Sequence, residues 1–297
     1  MRIGVIGDVH LAWDDRDVEL LDAAGYDLLL FVGDLAGYGP KGGLRVARSM
    51  ARLRTRALAI PGNHDAATVA QFASEVFGAH PLARSMLGIG MRQRVAQLAR
   101  ALGPVTLCGY DVHDFAVHDL IVLAARPHSF GGPRLAFRRY LTQRFGVHSM
   151  QDSEAKLCAL FDEIPRAKRI VVLAHAGPHG LGAARDAIYG CDFRPEAGDW
   201  GDPDLAQALT HAQRTGKHVL AVVAGHMHQR LRGGGVRCWH VEHDGVQHVN
   251  AARVPRRRRN DAGTEHHHVL LTVRDDHVSV EEVWLEYSRS RSRRSRL

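Results

Sequence analysis

The chain has 297 residues, 45% of them apolar and 24% charged, enough to bury a large core in one domain with room for an inserted lobe. Its longest apolar runs, such as 170–174 and 219–224, fall far short of the roughly 20 residues that cross a bilayer, so no membrane span is expected. The net charge of +7 is uneven: Arg253 and Arg256–Arg259 supply five positive charges and Ser288–Leu297 five more, and setting these ten aside leaves −3 for the rest.

Taken in order, an apolar run at 2–6 ends in Gly7-Asp8-Val9-His10. It already reads as a strand with a polar terminus, so no signal peptide is expected ahead of it. A helix follows at 15–24, then a strand at 28–32 ending in Gly33-Asp34, a helix at 42–54, and a strand at 56–60 ending in Gly62-Asn63-His64-Asp65. Val69, Phe72 and Val76 recur at helical spacing within an expected helix at 66–77. Further helices are predicted at 91–101, 134–144, 152–162 and 203–214, and further strands at 105–108, 120–125, 170–174 and 219–224. The last two strands end in His175 and in Gly225-His226-Met227-His228. This alternation predicts an α/β fold. Beyond it, 236–242, 246–250, 268–274 and 277–285 alternate with hairpin-like gaps such as Asp275-Asp276, and are expected to close the chain as antiparallel strands of the second sheet. Residues 1–287 are read as one domain, and the Ser/Arg-rich 288–297 as a disordered tail. Cys108, Cys158, Cys191 and Cys238 lie far apart with no Cys-x-x-Cys pair, which points to a reduced, cytoplasmic protein.

One apolar run after another closes on polar residues. A parallel α/β sheet gathers its ligands at the carboxyl ends of its strands, so Asp8, His10, Asp34, Asn63, His175, His226 and His228 are expected to converge. Aspartate oxygens, an asparagine carbonyl and neutral imidazoles, with no cysteine among them, suit divalent or trivalent manganese, iron or zinc rather than a thiolate-bound structural zinc. Asp8 and His10 are two apart and share one side of an extended segment, while Asp34 stands alone with two oxygens that can bridge. Two adjoining sites result: Asp8, His10, Asp34 and His228 around one ion, and Asp34, Asn63, His175 and His226 around the other. Manganese is the expected metal, with iron, zinc and nickel as alternatives.

These motifs, in this order over residues 3–228, resemble the calcineurin-like metallophosphoesterase superfamily, whose pattern runs Asp-x-His, Gly-Asp, Gly-Asn-His-Asp/Glu, His and Gly-His-x-His. The resemblance implies a four-layer α-β-β-α sandwich with two mixed sheets, the same seven metal ligands, His64 as the catalytic histidine, and a phosphate ester as substrate. One departure narrows that substrate. Serine/threonine phosphatases of the superfamily follow Gly-Asp with an Asp-Arg pair whose arginine binds phosphate, whereas this chain reads Gly33-Asp34-Leu35-Ala36-Gly37-Tyr38-Gly39-Pro40. That form resembles small prokaryotic phosphoesterases, so a phosphodiesterase or small-molecule phosphatase is expected ahead of a protein phosphatase.

Two ions about 3.5–4 Å apart acidify a bridging water and polarise the phosphoryl group, so a metal-bridging hydroxide is the expected nucleophile. His64, placed at the start of helix 66–77, is expected to protonate the leaving alkoxide, with Asp65 orienting it. The amino end of that helix would favour a bound anion. Segment 66–169 is expected to carry substrate-selecting elements, among them Arg126 or His128, placed to reach a phosphate oxygen unless theirs is a plain surface loop. His179, four residues beyond His175, is a further candidate beside the site. Trp200 is expected to anchor its loop, with stacking on a leaving group as the alternative. His266, His267 and His268 look like a metal tract, yet alternate burial in a strand explains them more simply. The arginine clusters leave open a nuclease of the same superfamily that binds nucleic acid, and a catalytically silent metal-binding scaffold is the third reading. No sequence feature speaks to oligomeric state.

Overall fold

Alternation within each strand sets the layers. In β1 (Arg2–Ile6) and β2 (Leu28–Phe31), Ile3, Val5, Leu28 and Leu30 join one core cluster while Ile6, Leu29 and Phe31 join another. The same division runs through β6 (Leu120–Ala124) and β7 (Arg169–Leu173), where Val122 and Val171 point inward and Leu123 and Val172 outward. Strands apolar on both faces demand cover on both sides. The inward sets meet across two stacked sheets. The outward sets are covered by α1 (Asp15–Ala23), α2 (Pro40–Met50) and α5 (Met91–Ala101) on one side, and by α6 (Arg138–Phe145), α7 (Met150–Glu163) and α8 (Pro203–Arg214) on the other. The result is the four-layer α/β sandwich with two mixed sheets. This computed structural model describes residues 1–261, 263–275 and 277–288.

The first sheet runs β11-β12-β1-β2-β3-β4, with β3 (Ala57–Ala59), β4 (Thr106–Leu107), β11 (Arg257–Arg259) and β12 (Gly263–Arg274), and β13 (His277–Ser288) pairs β12. The second runs β5-β6-β7-β8-β10-β9, with β5 (Asp111–Phe115), β8 (His218–Ala224), β9 (His240–His243) and β10 (Val246–Asn250). Local signals fix several helix starts. Asp14 accepts from Arg16 N while Asp17 takes Asp14 N, a capping box on α1. Proline opens α2, α4 (Pro81–Leu87) and α8, and Thr68 caps α3 (Val69–Val76).

Several expectations need correction. The closing strands do not all join the second sheet: β12 pairs antiparallel with β1, Ile3 against Leu271 and Val5 against Val269, because Val269, Leu271 and Val273 offer a period-two stripe that extends the intersheet core. Only β9 and β10 join the second sheet, and β10 lies parallel to β8. β12 and β13 pair across the expected hairpin, with Asp275 in the left-handed region, while Asp276 lies outside the described residues. Of the expected disordered tail, Ser288 ends β13 and 289–297 lie outside the described residues. The helix expected at 66–77 begins at Val69, since residues 62–66 form turns instead. α4, β5 and β11 carried no periodicity that betrayed them.

β11 explains the arginine cluster. Arg256 is buried against Asp17 at 2.5 Å, Arg257 pairs with Asp14 and Asp17, Arg258 with Glu265 at 2.5 Å, and Arg253 with Glu282 at 3.0 Å. These four arginines are paired to acids of the chain, Arg256 in the interior and Arg253 and Arg258 at the surface. His266, His267 and His268 are all buried and each has its own partner: Asp17 at 2.7 Å, Glu282 at 3.1 Å and the Tyr26 hydroxyl at 2.5 Å. They do not form a metal tract. Among the described residues no helix is long and apolar enough to cross a membrane.

Candidate metal centre

Five strand ends meet where the two sheets abut. β1 delivers Asp8 and His10, β2 Asp34, β3 Asn63 and His64, β7 His175, and β8 His226 and His228. His10, Asp34 and His226 have φ of 40°, 51° and 66°, a left-handed backbone that costs energy in these residues and turns each side chain into the seam. Asp8 and His10 therefore converge through a turn, not along an extended segment as expected. Glycine makes the close approach feasible: a Cβ on Gly62 would lie 2.2 Å from Asp34 Oδ1, and one on Gly225 2.3 Å from Asp8 Oδ1.

The candidate ligating atoms fall into three overlapping groups, Asp8–His10–His228, His10–Asp34–His64 and Asp34–His175–His226, each with all its atoms within 4.8 Å of one another. His10 Nε2 lies 3.6 Å from Asp34 Oδ2 and 3.9 Å from Asp8 Oδ2, and His228 Nε2 lies 3.4 Å from Asp8 Oδ2. Asn63 Oδ1 is 2.8 Å from His175 Nε2 and 3.1 Å from His226 Nδ1. Hydrogen bonding at the far nitrogens decides what these atoms can accept. His175 Nδ1 donates to the Val32 carbonyl at 2.7 Å and His10 Nδ1 to the Ala36 carbonyl at 3.1 Å. In their neutral form these two rings therefore aim unprotonated Nε2 atoms at other acceptors, His175 at Asn63 Oδ1 and His10 towards the Asp34 and Asp8 carboxylates. Lone pairs facing lone pairs around two buried carboxylates require a proton or a cation between them, and imidazoles pinned by a carbonyl behind are a common metal-site arrangement.

Electrostatics agree. Burial pushes the Asp8 and Asp34 carboxyls up, yet the surrounding histidines hold both below the usual carboxylate range. Burial lowers His175 and His228, but the two aspartates bring both above the ordinary imidazole value. His226, where burial prevails and His175 adds to it, is pushed down to about 3. The seam attracts positive charge, and metal ions would compete with protons for it.

A calcineurin-like phosphoesterase family model matches residues 1–230. The chain belongs to that family. With it come metal-dependent hydrolysis of phosphate esters and, from the geometry above, candidate His/Asp sites for divalent ions. Among solved structures, TT1561 of Thermus thermophilus is 12% identical at a TM-score of 0.54, covering 94% of this chain and 97% of its own. Phosphopantetheinyl hydrolase from Mycobacterium tuberculosis is 14% identical at 0.49, covering 84% and 88%. The first is a likeness of fold; the second carries no further weight. No curated protein sequence matches the chain.

Around this phosphoesterase centre the other expected residues divide. His64 lies beside it, half-buried, its backbone N–H donating to Asp34 Oδ1 at 2.9 Å and its Nδ1 to the Gly37 carbonyl at 3.0 Å, which leaves Nε2 available to a ligand. Asp65 does not orient it. That carboxylate, fully buried and pushed up to about 6 by burial and by the Asp34 charge, accepts from Ala36 N at 3.0 Å and Gly62 N at 2.9 Å, and so ties the Asp34 and Asn63 loops together. The helix amino end is also not at His64, because α3 starts five residues later.

Arg126 does not reach the seam. It is 2% exposed and grips Asp202 at 2.6 Å and Asp204 at 2.8 Å, an ion triad that anchors α8. His128 is buried too, donating Nδ1 to the Gly62 carbonyl at 2.9 Å and pushed down to about 4 by burial, so it braces the Asn63 loop. His179 is exposed and lines a groove along α8. Trp200 anchors its loop through Nε1 to the Phe130 carbonyl at 2.8 Å. Sequence reasoning missed Asn250, buried at the end of β10, whose Nδ2 donates to the Met227 carbonyl at 2.6 Å and steadies the His226–His228 turn. It also missed Arg237, whose Nε donates to the His228 carbonyl at 3.0 Å. A lone Asn after a strand and an Arg in a loop give no signal. Tyr38, Phe72 and Phe130 were missed as well: Tyr38 and Phe72 lie 5.5 and 4.3 Å from the His64 ring, and Phe130 lies 6.3 Å from His226.

Proposed function

We propose that the chain hydrolyses small organic phosphate esters, diesters or monoesters, with two divalent cations: one held by Asp8, His10, Asp34 and His228, the other by Asp34, Asn63, His175 and His226. The supporting observation is the meeting of these seven donors at one seam with Asp34 between the two groups. The oxygen and imidazole donor set favours manganese, with iron, zinc and nickel as alternatives. Bound there, such a pair supplies acidified water and Lewis-acid polarisation of the phosphoryl group.

The chain's own side chains do the rest. Asp8 and Asp34 hold their charge in a buried seam, and the carbonyls of Val32 and Ala36 fix the tautomers of His175 and His10. As the imidazolium, with its Nδ1–H on the Gly37 carbonyl, His64 gives its Nε2 proton to the leaving alkoxide as general acid. Tyr38, 81% exposed, and Phe72 flank His64 and present an aromatic wall to the leaving group, which suits planar or apolar alcohols. A nuclease has less support, because Arg253 and Arg256–Arg258 are already paired to acids of the chain.

The test is to strip the protein of metal, reload it with manganese, iron, zinc or nickel, and assay matched aryl phosphate monoesters and diesters. Metal-dependent turnover is expected, and His64→Ala should keep its metal while losing about 10²–10⁴ in kcat, most with poor leaving groups. Inactivity towards every ester with every metal would return the scaffold reading.

A further inference from the structure

A second cluster of metal-ligating atoms lies away from the seam, where β4 ends and β5 begins. These are the outer strands at one end of the first and second sheets. Cys108 extends the β3–β4 pairing through its N–H to the Ala59 carbonyl at 2.9 Å, and its side chain belongs to the intersheet core. Asp111 and His113 stand two apart on β5, opposite Ala124 and Val122, both inward-facing residues. The three side chains therefore project from two sheet edges into the gap between them.

Their ligating atoms all lie within 4.8 Å of one another. His113 Nε2 is buried without a hydrogen-bond partner, although Asp111 Oδ1 sits 3.3 Å away. That separation is about what two ligand atoms span across a tetrahedral zinc, whose bonds to nitrogen and oxygen are about 2.0–2.2 Å. The turn is held rigidly: Asp111 Oδ1 accepts from Gly109 N at 3.0 Å, and a Cβ at Gly109 would lie 2.8 Å from the Pro127 ring. Cys108 and Asp111, though not His113, also border a cavity of about 310 Å³, and the Asp111 carboxylate is 42% exposed, which gives a cation an entry path.

We propose that Cys108, Asp111 and His113 form a mononuclear site for a thiophilic divalent cation such as Zn²⁺, clamping the outer edges of the two sheets. Sulfur, nitrogen and oxygen donors together select zinc over manganese, so this site and the seam take different ions. Uptake displaces the Cys108 thiol proton to solvent, and the thiolate, imidazole and carboxylate bind the ion.

Cobalt(II) is the probe, because a thiolate–cobalt bond gives an intense charge-transfer absorption in the near ultraviolet and the seam holds no sulfur. Full-length protein titrated with Co²⁺ should develop this band. Cys108→Ser should abolish it and bind one equivalent less cobalt, His113→Ala should weaken uptake about 10–100-fold, and Asp34→Ala, which disables the seam, should keep it. Cys238→Ser, lacking the exposed thiol, should also keep it. Circular dichroism and unchanged seam stoichiometry verify that Cys108→Ser is folded. Absence of the band at saturating cobalt, or its persistence in Cys108→Ser, would overturn the assignment.

Discussion

At the seam, apolar strands end in polar side chains that turn inward; in the α3–α4 arm beside it, Gln71 and Glu75 turn inward while Val69, Phe77 and Met86 face solvent. Gln71 is 1% exposed and Glu75 6%, while Val69, Phe77 and Met86 are 58%, 85% and 66% exposed. Gln71 and Glu75 both have partners: Gln71 Oε1 accepts from Arg94 at 2.6 Å, and Glu75 Oε1 from Phe137 N at 3.1 Å. Both regions bury polarity where it is answered. The difference lies in what answers it, since donors of the protein meet Gln71 and Glu75 in the arm, whereas the seam leaves acceptors facing one another. Unanswered acceptors mark the place that needs a ligand.

The largest effect is expected at Asp34. Asp34→Ala removes the oxygens between the two groups of donors, so it should lose both cations and all measurable esterase activity while remaining folded; retained metal in equilibrium dialysis would show that the groups do not share this residue. Next in size is Arg126→Met, which leaves two buried carboxylates without their cation. About 3–5 kcal/mol of stability should disappear in urea denaturation, with KM for an aryl phosphate unchanged, and a raised KM would bring Arg126 back to the substrate.

A smaller effect is set by pH. Burial foremost, with arginines nearby, pushes His267 and His268 down to about 3, against about 6.5 in the unfolded chain. Lowered pKa values mean that these histidines stabilise the fold fully above about pH 6.5, and that this stability is lost as pH falls towards 3. His267→Gln should flatten the decline between pH 7 and 5 in metal-free protein; an unchanged slope would assign it to other groups. Smallest is the arm's outer face, where Phe77→Ser should alter stability by no more than about 0.5 kcal/mol.

These contrasts also explain what the sequence made legible. The seam could be read because its chemistry is local in each strand: an apolar run, a glycine, then Asp8, Asp34, Asn63 or His226. The four layers came from the family resemblance, because continuous apolar runs such as 28–32 do not reveal which face meets the other sheet. What stayed hidden depends on partners distant in sequence. Arg126 and the cluster at Arg256–Arg258 look like free charge until Asp202, Asp204 and Asp17 are brought against them by the fold. Val69, Phe72 and Val76 announced a helix correctly but not which face it buries, because Arg84 and Arg94 reward burial of Glu75 and Gln71 instead. Asn250 and Arg237 brace the His226–His228 turn through backbone carbonyls, which no spacing rule encodes.

Anomalous diffraction from crystals of the manganese-loaded protein addresses the seam most directly. Two peaks about 3.5–4 Å apart are expected, with Asp34 between them, Asp8, His10 and His228 around one, and Asn63, His175 and His226 around the other. A single peak, or manganese bound elsewhere while the seam stays empty, would contradict the two-cation account.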